Sequence, residues 1–539
     1  MAENPSTIAM PGESPAPPAS PVEHVQRTGS LILSQITEKR FITLLLVLFI
    51  AKGVIITFAH APYSGHDEVA HYAYLRMVAE ETRIPELPDL EAWRATYAEQ
   101  GTYSHDQMPE EFWQYCRRTT IDWSPGCGDY ERAIYAMSLA GEFYPTGWIY
   151  TANHPPLYYL LMTPLYWLTD GLSIETQLYI FRLAAIPFGL ATVVLAWLTT
   201  RTLFPRERFL VLLVPAVVAF QPQVSYESAM LNNDILAIAF TSAVIFLIAR
   251  GLKHRFPPGT VALIGLFYGL AVLSKNTSLT AGAIIAFAMI LGIGVRRWRE
   301  WVVKGALAAG VAAMMIWPWY VYMYRTYGDF TGLKRIRELQ YWNYGDDQRP
   351  TIWAQLESQR FLWWRWRETW GEFGWRLIPL STELLRGIFW VCLLAAVGIA
   401  VWAVRLLLTQ RAMLEDEIDG SSGTGSTAGV DSVWLLERWQ VVGVLTMGVA
   451  CILAYFAILQ FGTTFSLTQA RYYFPAIVPA ALLFAIGWRA LLPRRWLVPG
   501  QAILFVGLVM LNVIIYSAYV LPYWGSVSVE FPGVPEFYR

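Results

Sequence analysis

Two adjacent carboxylates, Asp67 and Glu68, stand between His66 and His71, just past the first long apolar run of the chain. Ionisable groups at a membrane boundary are costly to keep without a use, so the cluster reads as a functional site. Carboxylates in such a place can exchange protons with a bound substrate. On a helix, Asp67 and His71 share a face, which suits either a metal or a plain hydrogen-bonded pair. The run Asp67-Glu68-Val69-Ala70-His71 differs from the zinc-protease pattern His-Glu-x-x-His only at its first residue, but no third ligand suggests itself.

Further polar residues interrupt apolar sequence at Asn153-His154-Pro155-Pro156, Glu227, Asn232-Asn233-Asp234, Lys275-Asn276, Trp370-Gly371-Glu372-Phe373-Gly374-Trp375 and Gln469-Ala470-Arg471-Tyr472-Tyr473. Each has an ordinary reading as well. Asp234 suits the cap of the helix that follows it. Lys275 and Arg471 suit snorkelling side chains at helix ends. His71 and His154 suit structural hydrogen bonds. If all of them meet, they make one site of carboxylates, amides and two isolated cations, and a lipid phosphate is the obvious partner for such cations.

The elements that must position these residues are membrane helices. The chain of 539 residues is 55% hydrophobic and 15% charged, against about 25% charged in soluble domains. Its 24 Trp and 29 Tyr suit many membrane–water interfaces. Apolar runs of spanning length fall at about 41–60, 177–200, 208–222, 232–250, 259–274, 278–294, 301–322, 383–406, 439–460, 472–491 and 498–520. Basic residues mark the cytoplasmic side: Lys39 and Arg40, Arg201/Arg206/Arg208, Arg250/Lys253/Arg255, Arg296/Arg297/Arg299 and Arg494/Arg495. These agree only if the short apolar stretch His154–Leu168 lies at the outer interface without crossing. The result is an all-α polytopic protein of about 11 transmembrane helices, N-terminus inside and C-terminus outside.

That topology divides the chain into a disordered cytoplasmic tail (1–38), a membrane domain (39–522) and an extracytoplasmic tail (523–539). Within the domain, an acidic outer loop covers 61–176 and a Trp- and Arg-rich outer loop covers 323–382. The segment Phe361-Leu362-Trp363-Trp364-Arg365-Trp366-Arg367 suits a surface among lipid headgroups, or an ordinary packed loop. Residues 407–438 read as a flexible cytoplasmic linker. Cys116 and Cys127 share the first outer loop, where a disulfide and two free thiols are equally open; Cys392 and Cys451 lie in apolar segments as inert residues. A formal net charge of −1 and the lack of a basic arm leave no basis for nucleic-acid binding.

These segments together resemble the GT-C superfamily of integral-membrane glycosyltransferases, which includes protein O-mannosyltransferases and the aminoarabinose transferases of lipid A. Gly65-His66-Asp67-Glu68-Val69-Ala70-His71-Tyr72-Ala73-Tyr74 looks like the family's acidic motif, and His154-Pro155-Pro156-Leu157-Tyr158-Tyr159 like its Pro-Pro-Leu segment. Asn232-Asn233-Asp234 is similar to its second acidic site, and Gly269-Leu270-Ala271-Val272-Leu273-Ser274-Lys275 to its Gly-Leu-x-x-Leu-Thr-Lys segment. The stretches around Glu372 and Arg471 look like an uncharacterised glycosyltransferase branch of the group. The first outer loop is long and Trp-rich, a departure that leaves the acceptor open.

The resemblance implies sugar transfer from a polyprenyl-phosphate-linked donor to an acceptor on the extracytoplasmic face, with inversion, at a plasma (inner) membrane. It implies Asp67 and Glu68 as catalytic, Asp67 as the base for the acceptor hydroxyl and Glu68 to orient the acceptor or bind a metal, and His71, His154, Asp234, Lys275, Glu372 and Arg471 as substrate-binding. The partners are a polyprenyl-phosphate sugar, a glycan, lipid or protein acceptor, and membrane lipids. No cofactor is demanded, and a divalent cation is left open. The alternative is a polytopic transporter or flippase of a lipid-linked saccharide, which would place charges near the bilayer midplane.

Overall fold

The structure, a computed structural model, describes residues 21–87, 108–119, 150–339, 349–374, 377–418, 435–465 and 468–526. Residues 1–45 make up one unit and residues 46–539 another, and every site described below lies in the second. Among the described residues the chain is almost wholly helical, with one two-residue antiparallel ladder, Glu372–Phe373 against Ile378–Pro379.

The helices used below are α1 (Pro21–Ala59), α2 (Glu68–Glu80), α3 (Leu157–Leu168), α4 (Ile174–Leu203), α5 (Arg208–Phe220), α6 (Pro222–Glu227), α7 (Asp234–His254), α8 (Pro258–Ser274), α9 (Ala281–Ile293), α10 (Trp298–Tyr327), α11 (Gln359–Trp370), α12 (Thr382–Ile418), α13 (Arg438–Gly462), α14 (Ile477–Leu491) and α15 (Leu497–Ile514). Nine helical stretches of the described residues are long and apolar enough to cross a membrane. Two shorter apolar helices, α5 and α8, fall where two further spans are expected. The protein is a polytopic, helical membrane protein. Helix α3 has 12 residues and is about 18 Å long, too short for a hydrocarbon core of about 30 Å. It packs on α2 through a cluster that includes Tyr72, Tyr159, Tyr166 and Phe181.

Local sequence explains the breaks. Helix α5 stops at Phe220 because Pro222 cannot continue its hydrogen-bond ladder and instead opens α6 in its first turn. Polar side chains, one half-buried and one buried, take the carbonyls freed at this break. Lys52 on α1 reaches the Ala219 carbonyl, and Asn512 on α15 donates to that of Phe220 at 2.7 Å. Helix α4 opens at Ser173, whose hydroxyl accepts the Thr176 amide at 3.4 Å. Helices α12 and α14 touch backbone to backbone: a Cβ on Gly398 would overlap the Gly487 carbonyl. Small residues permit such approach inside a bilayer.

Three boundaries differ from the sequence reading. Residues 21–38, expected as disordered tail, are helical, and no proline after Pro21 interrupts the helix before the apolar span. Helix α12 continues to Ile418, because residues 407–418 are good helix formers without Gly or Pro, so the expected linker is shorter. A helix Leu521–Ser526 likewise runs past the expected end of the last span. Residues 1–20, Cys127 and residues 419–434 lie outside the described residues, as does the side chain of Cys116, so the disulfide expectation falls outside them too. Cys392 and Cys451 are free.

Candidate active site

The turn between α1 and α2 builds the acidic motif. Asp67 has a left-handed backbone, φ 58°, a conformation a short polar side chain tolerates better than most. Its carbonyl accepts the His71 amide at 2.9 Å, starting α2. The kink sends the two adjacent carboxylates to different partners.

Asp67 binds Arg471 through Oδ2 and accepts the Tyr150 hydroxyl at 2.6 Å through Oδ1. Asp234, on the first turn of α7, holds Lys275 Nζ at 2.6 Å, and its other oxygen lies 3.4 Å from Arg471 Nη1. Arg471 thus spans both carboxylates, and Lys275 closes a cluster of two negative and two positive groups. Lys275 occupies an extended residue between α8 and a 3₁₀ turn, Asn276–Thr280. Arg471 is the second residue of another 3₁₀ turn, Ala470–Ala476, ahead of α14. Both are buried, at 5% and 4% exposure, so neither snorkels to solvent. The ring of Tyr472 lies 5.0 Å from Lys275 and 5.6 Å from Arg471. Asp234 is not the helix cap either: Asn232 Oδ1 accepts the Ile235 amide at 3.1 Å.

The histidines join from one side. His71 Nδ1 is 2.8 Å from the Tyr159 hydroxyl, and its ring stands 6.0 Å from that of His154. His154 Nδ1 is 3.4 Å from the Asn233 amide. His71 Nε2, Asn233 Oδ1 and Arg471 Nε are buried with no hydrogen-bond partner among the described residues. Buried polar atoms are normally satisfied, so these mark a place where a polar ligand belongs.

Electrostatics follow from this packing. Burial alone would raise the Asp67 pKa, but Arg471 and His71 outweigh it, helped by hydrogen bonds from Tyr150 and Arg471. The carboxyl is held well below its usual range. Burial lowers His71 to about 3, a fall Asp67 opposes and Lys275 and Arg471 support. Burial also lowers His154, with Lys275 and His71 adding to it. Lys275 is lowered by burial, which Asp234 only partly offsets.

Glu68, expected as the second catalytic carboxylate, has different partners from its neighbour. It is fully buried. Oε2 meets Arg182 Nη2 at 2.6 Å and the Gly65 amide at 2.7 Å; Oε1 meets Arg182 Nε at 2.8 Å and the Leu231 amide at 3.0 Å. A side chain on Gly65 would overlap the Glu68 carboxyl. Arg182 also donates to the carbonyls of Thr57, His60 and Ala61. Glu68 and Arg182 therefore pin the end of α1, the motif turn and the α6–α7 connection together, next to Asp67.

Glu372 is also set apart. It is buried on the short ladder, 3.1 Å from Arg367 Nη2, and lines a chamber of about 10 Å³ behind Arg471 with His66, Gln223 and Gln469. That is room for about one water. His66 pairs with Glu227 at 3.0 Å. Two arginines of α11 face carboxylates, Arg365 to Glu368 at 2.9 Å and Arg367 to Glu372, and the Trp366 indole donates to Leu385 at 3.2 Å. Arg365, Trp366 and Arg367 thus have partners within the protein.

The residues missed by sequence reasoning are Arg182 and Tyr150. Arg182 carried a signal, a lone arginine inside an apolar span; Tyr150 carried none. The donor set does not fit a divalent cation, because both carboxylates already have cationic partners. Among the described residues no three His, Cys, Asp or Glu gather as metal ligands.

Residues 153–322 match the family model described as dolichyl-phosphate-mannose-protein mannosyltransferase. No curated protein matches the chain. Among solved structures, the chain is similar to the Archaeoglobus fulgidus oligosaccharyltransferase AglB in complex with an inhibitory peptide and a dolichol-phosphate. Identity is 12% and the TM-score 0.47, over 89% of this chain and 56% of that one. A structure of that organism's oligosaccharyltransferase with Zn and sulfate gives 14% and 0.40, over 68% of this chain and only 44% of that one. ArnT from Cupriavidus metallidurans bound to undecaprenyl phosphate gives 15% and 0.38, over 77% and 69%. The chain thus spans about half the length of the archaeal enzyme. Over the stretch that holds His154, Asp234 and Lys275, it is similar to the dolichyl-phosphate-mannose-protein mannosyltransferase family, and with it resembles the GT-C superfamily of membrane glycosyltransferases.

Proposed function

We propose that this protein is an inverting glycosyltransferase that moves a sugar from a polyprenyl-phosphate-linked donor to an acceptor hydroxyl on the extracytoplasmic face of the plasma membrane. One observation carries the reading: Arg471 lies between Asp67 and Asp234, with Lys275 beside it, at one end of a membrane helix bundle. Two cations and a base are the parts this reaction needs. The acceptor oxygen bonds to the anomeric carbon as the bond from that carbon to the phosphate oxygen breaks. The phosphate leaves with the electron pair, and the hydroxyl proton passes to Asp67. The departing phosphate gains a negative charge, which Lys275 and Arg471 stabilise.

Asp67 paired with Arg471 is a weak base. The donor phosphate competes with it for the guanidinium, so donor binding frees the carboxylate and raises its basicity as the acceptor arrives. Asp234 keeps Lys275 and Arg471 in place, His71 and His154 contact the sugar or acceptor hydroxyls, and Glu372 holds the far side of Arg471 through the chamber they share. Tyr150 orients the free Asp67 oxygen. The proposal is tested by mass analysis of membrane lipids from cells lacking the protein. A polyprenyl-phosphate-linked sugar should accumulate and fall back when the wild-type chain is restored, but not with Asp67→Asn. An unchanged lipid profile would overturn it.

A further inference from the structure

We propose that the opposite end of the bundle carries a second binding site, a basic groove for the phosphate of an anionic phospholipid headgroup. The groove, about 740 Å³, lies among the ends of α7, α9, α10 and α13. Asp234 and Lys253 stand at opposite ends of α7, about 28 Å apart at 1.5 Å per residue, so the groove is a membrane thickness from the transferase site.

Its charge is unbalanced. Lys253, Arg255, Arg296, Arg297 and Arg438 line it, against two carboxylates. Of the two carboxylates, Glu300 holds Lys304 at 2.7 Å and stands 3.9 Å from Arg297 of the groove, and Glu437 accepts the Trp439 indole at 2.7 Å. Lys253, Arg255 and Arg296 make no side-chain hydrogen bond or ion pair among the described residues. A phosphate takes several such donors at once, and arginine grips two of its oxygens.

The backbone explains how Arg255 reaches the groove: it is the left-handed residue that ends α7. Arg255 and Phe256 are consecutive left-handed residues, φ 58° and 52°, and neither is glycine. Strain of this kind persists where surrounding structure enforces it, often at binding sites. Here Phe256 is fully buried against Gly251 and Gly292, where side chains would crowd its ring. That anchor turns the chain so that Arg255 lines the groove. The apolar part of the lining, with Leu252, Leu291 and Val442, suits the glycerol end of a lipid better than a free ion. The groove also lies at the end that its arginines and lysine assign to the cytoplasm, where anionic headgroups draw basic residues.

The test uses the full-length protein in phosphatidylcholine nanodiscs, with dioctanoyl phosphatidylglycerol titrated in and retained lipid counted by native mass spectrometry. Three neutralised cations, Lys253→Gln, Arg255→Gln and Arg296→Gln together, should weaken retention on the order of 100-fold, at about fivefold per charge. Inorganic phosphate at millimolar concentration should not displace the lipid. Arg255→Gly alone should weaken retention about fivefold while raising the unfolding temperature, because glycine relieves the left-handed strain. Undiminished retention in the triple variant or in Arg255→Gly would overturn the site. Displacement of the lipid by inorganic phosphate would assign the groove to a soluble anion and overturn the lipid.

Discussion

Replacing Arg182 by methionine separates the two adjacent carboxylates of the motif by role. Arg182 has no exposed surface. It makes two contacts to Glu68, at 2.6 and 2.8 Å, and donates to three carbonyls between 2.8 and 3.0 Å. Removing it strands a buried Glu68 charge and three acceptors. Breaking one side of a buried pair costs about 3–5 kcal/mol, a large share of a total that is typically about 5–15 kcal/mol. Glu68→Gln should cost a similar amount, because the guanidinium then lacks its countercharge. Removing both, as Glu68→Met with Arg182→Met, should cost less than the two single losses added, by up to about 3 kcal/mol. The assay is unfolding of the detergent-purified protein by SDS titration, followed by tryptophan fluorescence, with sugar transfer measured on the same samples. Glu68→Gln with wild-type stability but abolished transfer would refute this reasoning and return Glu68 to the chemistry.

Asp67→Asn should lower the transfer rate about 10²- to 10⁴-fold and also lower the SDS midpoint, because it removes one of the two carboxylates that face buried Arg471; near-normal turnover removes it as the base. Arg471→Lys should raise the donor KM, since an ammonium cannot reach both carboxylates and two phosphate oxygens as a guanidinium does; donor titration in nanodiscs reads this, and wild-type kinetics would dismiss the phosphate role. His71 is lowered to about 3 by burial, against about 6.5 unfolded. Between those values the unfolded chain binds the extra proton, so this histidine removes stability as pH falls from about 6.5 toward 3. His71→Asn should therefore flatten the loss of melting temperature between pH 7.5 and 5, and an unaltered slope contradicts the shift. Leu172→Cys, at an exposed residue just after α3, should react with an impermeant maleimide from outside intact cells; labelling only after permeabilisation would reverse the topology from that point.

Much of the fold was legible because membrane length writes itself into sequence. An apolar run near 20 residues has few alternatives, and the runs at 177–200, 232–250 and 439–460 became α4, α7 and α13. The site was legible for the same reason: Asp234, Lys275 and Arg471 are conspicuous against apolar neighbours. What spacing could not give is direction. Asp67 and Glu68 are adjacent and chemically alike, and only the left-handed turn at Asp67 sends one to Arg471 and the other to Arg182. Arg182 was hidden inside a span treated as uniformly apolar. The cations of α11 read from sequence as headgroup anchors because their acceptors, Glu368 and Glu372, come within reach only once the chain folds into α11 and the short ladder.

The central claim is discharge of a lipid-linked sugar at the Asp67–Arg471–Asp234–Lys275 cluster. The most direct measurement takes the lipid-linked sugars that accumulate in cells lacking the protein, and presents them to the purified protein in nanodiscs with a cell-envelope extract as acceptor. Wild type should convert donor to free polyprenyl phosphate with inverted configuration at the transferred sugar, while Asp67→Asn and Arg471→Ala leave the donor whole. Intact donor after incubation with wild type, together with its movement across the bilayer of vesicles containing the protein, would contradict the account and make the chain a transporter.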